Sequence, residues 1–228
     1  MLLIPRRRAS ARGLSSPTTT HYSPITLFRA AARICALVAL ILASIHATRA
    51  QDTVVNFDPT ATQVTFTLAA TLHTVHGGFK LKTGQMHFDP ATGKAGGVVI
   101  LDATSANTDN SSRDQKMHGE ILESAKFPEI TFIPTQVTGP LADLFARKSA
   151  QLQVAGIFRL HGQDHPMTIP VAVSPIAANG QFQAETKFDV PYVKWGLKNP
   201  STFVLRVGDT VNLEIHSTVQ ISRPAAKN

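Results

Sequence analysis

Residues 181–190 read "QFQAETKFDV", and their alternation decides the fold class. Phe182, Ala184, Thr186, Phe188 and Val190 fall on one side of an extended chain, with Gln181, Gln183, Glu185, Lys187 and Asp189 on the other. Successive side chains of a strand point to opposite faces, so this pattern marks a strand with one apolar and one wet face.

The same reading extends outward. "TVNLEIHSTVQI" (210–221) sets Val211, Leu213, Ile215, Val219 and Ile221 against Asn212, Glu214, His216, Thr218 and Gln220. "QVTFTL" (63–68) puts Val64, Phe66 and Leu68 in phase, "GQMHF" (84–88) Met86 and Phe88, "EITF" (129–132) Ile130 and Phe132, and "LQVAGIFRL" (152–160) Leu152, Val154, Gly156, Phe158 and Leu160. Turn chemistry separates these runs. "DPATGK" (89–94) is a turn, and Asn179–Gly180 is a two-residue hairpin signal. The result is an all-β chain of about eight strands, between eight and ten, with no linker or internal repeat. Long regular strands in one small domain favour a single antiparallel up-and-down β-barrel, because closure removes the pairing edges. Such a barrel either fills with side chains or holds one small ligand, and the alternation alone is the same in both cases.

One segment departs from period two. "RDQKMHGEILESAKFPEITF" (113–132) places Met117, Ile121 and Ala125 at steps of four, with Leu122 beside them. That spacing predicts one short amphipathic helix near residues 113–123. "TSANTDNSSRD" (104–114) ahead of it reads as a solvated loop that supplies an N-cap.

Composition divides the chain at residue 50. Residues 1–50 hold seven arginines and no acidic residue, and "ICALVALILASI" (34–45) is apolar apart from Cys35 and Ser44. A basic start, an apolar run and small residues near Ala50 describe a signal peptide of the Sec type, cleaved near Ala50, with Ala47 as the alternative. Twelve apolar residues fall short of the roughly 30 Å of hydrocarbon that a membrane-crossing helix spans. The expected mature domain is residues 51–228, secreted or periplasmic. Of the 22 Lys and Arg, 15 remain there against 15 Asp and Glu. The basic character of the whole chain therefore belongs to its leader and gives no reason to expect nucleic-acid binding. Cys35 is the single cysteine, so the domain has no disulfide, thiol nucleophile or cysteine metal site.

The chemistry-bearing residues read as a non-enzyme. His73/His76 stand three apart and His161/His165 four apart, but a strand sends an i,i+3 pair to opposite faces, and "GQD" before Pro166 reads as a hairpin loop. Neither pair shows the carboxylate that would complete a metal set, so no metal site, cofactor or catalytic residue is assigned. No Gly-x-Ser-x-Gly elbow is present, and the Asp109/Asp114 and Glu120/Glu123 carboxylates read as solvated charges. Trp195, the only tryptophan, lies in "PYVKWGLKNPSTF" with Tyr192 and Phe203, either packing a loop over the barrel or gating its mouth. Lys194 and Lys198 flank it, where they could meet a phosphate head group.

Four blocks in order, "VNFDPTATQVTFTLAATLHTVHGGFK" (55–80), "RDQKMHGEILESAKFPEITF" (113–132), "GIFRLHGQDHPMTIPV" (156–171) and "VKWGLKNPSTFVLRVGDTVNLEI" (193–215), resemble the YceI-like family over about residues 52–222. The 113–132 block is the most specific, with its Arg-Asp pair, short helix, small residue then Lys, aromatic, Pro and a strand ending in Phe. It departs from the common form in which His-Leu-Arg follows the Arg-Asp pair, because here Met117 precedes His118. The resemblance implies a lipocalin-like barrel that holds a polyisoprenoid or another long-chain lipid, with the 113–123 helix as a plug or cap. On that reading the lining residues are Val64, Phe66, Leu68, Met86, Phe88, Met117, Ile121, Ile130, Phe132, Phe158, Phe182, Phe188, Trp195 and Leu213. The bound lipid takes the place of a cofactor, and transient membrane contact and homodimerisation stay open. The competing readings are a filled barrel acting as an envelope stress or interaction module and, further off, a histidine-dependent metal-binding or hydrolytic protein.

Overall fold

The computed structural model describes residues 52–222, so the expected leader lies outside the described residues. Eight strands follow one another: β1 (Thr53–Ala70), β2 (Thr74–Phe88), β3 (Ala95–Asn107), β4 (Glu129–Thr138), β5 (Ala150–Leu160), β6 (Gln163–Val173), β7 (Gln181–Val190) and β8 (Val207–Ser222). Each pairs antiparallel with the next, and β8 returns to β1 to close an up-and-down barrel. The alternation read from the sequence is the inward–outward alternation of its wall. β5 buries Leu152, Val154, Phe158 and Leu160, and β7 buries Phe182, Phe188 and Val190.

Curvature comes from two local devices. β1 slips register at Asp58–Ala61 against both neighbours, where the Asp58 carboxylate accepts from the backbone N–H and the hydroxyl of Thr60 at 2.8 and 2.7 Å. This bulge lets one long strand bend with the wall. Gly77 pairs with Phe66, whose ring lies across it: a Cβ there would stand 2.6 Å from Phe66 Cε1. The glycine thus trades a side chain for an inward aromatic ring, a cross-strand compensation that also holds register.

The barrel has a helix end and a terminal end. At the helix end lie the β1–β2 turn (71–73), the β3–β4 connection (108–128), the β5–β6 turn (161–162) and the β7–β8 loop (191–206). The expected helix is here as α1 (Ser111–Lys116), beginning two residues before the 113–123 span that the steps of four predict, and it widens into a π-helical turn, Met117–Ile121. Ala125 is not on its face: it sits exposed in the turn that follows. At the terminal end a second short helix, α2 (Leu141–Phe145), crosses the opening between β4 and β5. Its Leu144 is almost fully buried, and Phe145 packs on Phe88 with ring centroids 6.3 Å apart.

Two hairpins differ from their sequence signals. β5 and β6 join through His161–Gly162 alone, both at positive φ (53° and 73°), which is the type I′ geometry that matches strand twist. Gln163 and Asp164 are therefore already in β6 and not in a loop. The Asn179–Gly180 signal marks a turn closed by Ala177 N–H donating to the Gln181 carbonyl, but the β6–β7 connection as a whole runs 174–180.

The wall is weakest just there. β6 and β7 pair only at Ala172↔Glu185 and Val173↔Ala184. The Pro170 carbonyl faces β7, where it accepts from the Thr186 hydroxyl at 2.6 Å, and strand parity puts Pro166 on the same edge. Two of the positions that should donate to β7 therefore lack an N–H, so pairing stops below them. Trp195 stacks on the ring of His165 beside this gap, 4.1 Å between centroids and 4° from parallel.

Candidate ligand-binding site

The barrel axis is occupied by two chambers. The one toward the terminal end has a volume of about 140 Å³ and is walled mainly by aliphatic and phenyl groups, among them Val64, Met86, Phe88, Phe132, Phe182, Phe188 and Leu144. Its Thr62 and Ser217 hydroxyls satisfy each other at 2.6 Å. A dry apolar cavity of about 150 Å³ is known to hold a benzene-sized guest, so this chamber suits hydrocarbon and not water. The chamber toward the helix end is about 370 Å³ and is walled by Phe66, Leu68, Phe79, Met117, Ile121, Leu122, Tyr192 and Leu197. Ile130, Phe158 and Leu213 line both and form a waist between them. Phe158 is held from the side by an edge-on contact with Phe188 at 6.1 Å and by Trp195 at 5.7 Å.

The polar groups of the site are gathered at the helix end. His73, Thr108, Arg113 and Lys116 line the larger chamber. The Arg-Asp pair that opens the sequence block works as one clamp on the buried Thr108. Arg113 donates through Nε to the Thr108 hydroxyl (2.8 Å) and through Nη2 to its carbonyl (3.0 Å), while the same hydroxyl and the Thr108 N–H donate to the Asp114 carboxylate at 2.6 and 3.0 Å. Asn110 caps α1 by accepting from the Arg113 N–H at 2.9 Å. The guanidinium is thereby fixed at the chamber wall before any ligand arrives.

The π-helical turn is fixed by His118. Its Nε2 donates to the Ala106 carbonyl at 2.9 Å, which can only accept, and its Nδ1 is hydrogen-bonded to the Ser124 hydroxyl at 2.8 Å. This ring is a strut between β3 and the end of the cap, and it turns Met117, Ile121 and Leu122 toward the chamber. After the turn, Glu123 takes a positive φ of 45°, a strained conformation for a residue with a Cβ. Its carboxylate is held at 2.5 Å by His161 Nε2, and Phe127 packs on the same imidazole with centroids 4.2 Å apart. His161 thus ties the β5–β6 turn to the cap, whereas His165 lies in β6 under Trp195. Burial pushes the His165 ring below its ordinary imidazole range, and the Asp164 charge opposes this weakly. Among the described residues no three His, Cys, Asp or Glu side chains converge as a metal set would require.

Of the residues read as lining, Val64, Met86, Phe88, Phe132, Phe182 and Phe188 wall the smaller chamber, Phe66, Leu68, Met117 and Ile121 the larger one, and Ile130, Phe158 and Leu213 the waist. Trp195 is the exception. It lines neither chamber; it stacks on His165 and meets Phe158 at a tilt of 41°. Lys198 does not stand at the mouth as a lone cation but pairs with Glu120 at 2.6 Å, linking the 191–206 loop to the π-helical turn. Its sequence neighbours also separate: Tyr192 is buried and donates its hydroxyl to the Gly208 carbonyl at 2.7 Å, with its pKa pushed up to about 12 by burial and the nearby Asp209 charge, while Phe203 is almost wholly exposed. Arg113, Lys116, His73, Phe79 and Leu197 belong to the site and were not singled out from the sequence for it. The Arg-Asp motif was the available signal for the first. Leu144 gave none, because five residues are too few for a helical repeat to show.

The YceI-like domain model matches residues 56–219. The chain belongs to the YceI-like family. A UPF0312 protein of Vibrio cholerae serotype O1 is 29% identical over 97 residues, which are 42% of this chain and 48% of that protein, so the chain spans about half the length of the curated relatives it matches. Among solved structures, BcnA of Burkholderia cenocepacia superposes with a TM-score of 0.56 at 16% identity, covering 72% of this chain and 98% of that one. A polyisoprenoid binding domain from Saccharophagus degradans, implicated in plant cell wall breakdown, gives 0.54 at 15% identity, covering 74% and 98%. The YCEI protein of Campylobacter jejuni gives 0.51 at 17% identity, covering 65% and 85%. At these identities the likeness is one of fold.

Proposed function

We propose that this YceI-like barrel holds the hydrocarbon of one long-chain lipid, a polyisoprenoid foremost, and that it stores, sequesters or carries that lipid outside the cytoplasm. The observation that carries this reading is the polarity gradient along the axis. A hydrocarbon chamber at the terminal end leads through the Ile130–Phe158–Leu213 waist into a larger chamber whose polar groups, His73, Arg113 and Lys116, stand only at the helix end. Such an interior accepts a tail first and leaves a head group among cationic and hydrogen-bonding side chains. Binding then needs no chemical step. Each buried CH₂ contributes about 0.8 kcal/mol, so a chain of several isoprene units binds tightly even after its ordering cost. Met117 lines the larger chamber, where a flexible thioether adapts to a branched chain. The likeness in fold to a polyisoprenoid binding domain supports the same class of ligand. The expected leader supports a periplasmic or secreted location.

The test is mass spectrometry of the organic extract from protein purified from its native envelope without detergent. A single long-chain species in stoichiometric amount is the expected result. An extract matching a blank preparation contradicts the proposal and favours a filled barrel that acts as an interaction module.

A further inference from the structure

Three large apolar side chains are strongly exposed among the described residues: Leu72 at 82%, Phe203 at 97% and Val204 at 84%. Single exposed apolar residues are ordinary, but these three are not scattered. Leu72 is the tip of the β1–β2 turn, and Phe203 and Val204 are the tip of the β7–β8 loop, both at the helix end. The two tips are bound together: Thr71 N–H donates to the Arg206 carbonyl at 2.9 Å, Arg206 N–H donates to the Thr71 hydroxyl at 3.0 Å, and the Thr71 hydroxyl donates back to the Arg206 carbonyl at 3.1 Å. Residues flanking both tips, Ala70, His73, Thr202 and Leu205, line the larger chamber. The exposed patch is therefore the outer lip of the chamber mouth.

From this arrangement we infer that the lip formed by Leu72, Phe203 and Val204 docks on a lipid bilayer surface and seats the chamber mouth against it. The inference rests on the lipid-holding reading of the same chamber. Three features commit the patch to a bilayer and not to a protein. The apolar groups sit at the tips of two short loops and are almost wholly exposed, which suits insertion between head groups more than packing against a shaped partner. Arg206 lies between them and the barrel, exposed, with Arg113 and Lys116 on the adjoining chamber wall, so the lip pairs apolar tips with cationic charge as an anionic lipid interface requires. The neighbouring carboxylate Glu120 is held by Lys198. Finally, the patch is continuous with the mouth through which a hydrocarbon chain must pass. A barrel seated this way lets a tail move from bilayer to chamber without crossing water.

The test places one indole at either end of the barrel. Phe203→Trp reports on the lip and Ala178→Trp on the 174–180 loop of the terminal end, each combined with Trp195→Phe so that the protein carries a single tryptophan. Vesicles of phosphatidylethanolamine and phosphatidylglycerol, with and without brominated acyl chains, are titrated against each protein. The expected result is a blue shift and bromine quenching at position 203, none at 178, and weakening of vesicle partitioning by about tenfold for each of Leu72→Ser and Val204→Ser, the scale of one buried aliphatic side chain. No response at 203 overturns the inference, as does an equal response at both ends. A shift at 203 that grows with protein concentration in the absence of vesicles also overturns it and assigns the patch to a second copy of the chain. The organic extract of the same preparations is read separately: lipid retained in the barrel with a silent position 203 rejects bilayer docking alone, whereas loss of lipid from the unmodified protein rejects the reading on which it rests.

Discussion

The two ends of the barrel are each crossed by a short helical segment, and they are finished in opposite ways. At the terminal end α2 sinks Leu144 into the wall until it is almost fully buried and packs Phe145 on Phe88. At the helix end neither α1 nor the π-helical turn has a fully buried residue, and Met117, Ile121 and Leu122 are partly buried, packed on the core at one side and lining the larger chamber at the other. The first segment turns its apolar surface into stability. The second leaves part of its apolar surface unsatisfied and is held in place by polar struts instead, through His118, the Arg113–Asp114 clamp and the Glu123–His161 contact. One end is closed by buried packing and the other by polar contacts around a larger chamber.

The sharpest break in this comparison is a pair of truncations. Leu144→Ala truncates a side chain that is almost fully buried and is expected to cost about 2–5 kcal/mol, whereas Met117→Ala truncates one that is only partly buried and should cost no more than about 2 kcal/mol. Urea denaturation of lipid-free protein measures both, and equal losses would mean that the two caps are packed alike. Next in size is His118→Ala, which strands the Ala106 carbonyl and the Ser124 hydroxyl and should cost about 1–3 kcal/mol. Its signature is local: amide exchange over residues 117–124 accelerates while α2 is unaffected.

A smaller effect depends on pH. Because the folded His165 pKa lies below its unfolded value near 6.5, the folded state resists protonation, and the associated stability is present above pH 6.5 and is lost as the pH falls from there toward the folded value. His216 acts in the opposite sense. Hydrogen bonding to Glu214 raises its pKa, so its contribution is present below pH 6.5 and is lost as the pH rises through the folded value. Urea midpoints measured from pH 7.5 to 5 should therefore fall more for the unmodified protein than for His165→Phe, which keeps a ring under Trp195 without a titrating group. The smallest effect belongs to the exposed Glu120–Lys198 pair: Lys198→Ala should leave the urea midpoint nearly unchanged, and the more so at high salt.

How far the sequence discloses this asymmetry follows from what each pattern reports. Alternation reports which face a residue occupies, so the barrel wall could be read from "QFQAETKFDV" and its counterparts. It does not report what lies opposite that face, and Phe182 or Phe88 would look the same in a solid core and in a chamber wall. The step of four in 113–132 disclosed the cap at the helix end, but not its widening at Met117, because a π turn changes the backbone and not the residue pattern. Pro166 and Pro170 were visible throughout as breaks in donor supply, yet their consequence depends on which edge of β6 they face, and only the register decides that. Trp195 stacks on His165 across 30 residues of sequence, and no local spacing encodes that.

The proposed binding mode lays one lipid along the axis with its polar end at the helix end. A crystal structure of protein purified from its own envelope without detergent tests this most directly. The expected result is continuous density from the Arg113–Lys116 rim through the waist at Phe158 toward Leu144, with the head group at the rim. Density with the head group toward Leu144, or chambers collapsed by Phe158 and Phe188 with no lipid between them, would contradict it.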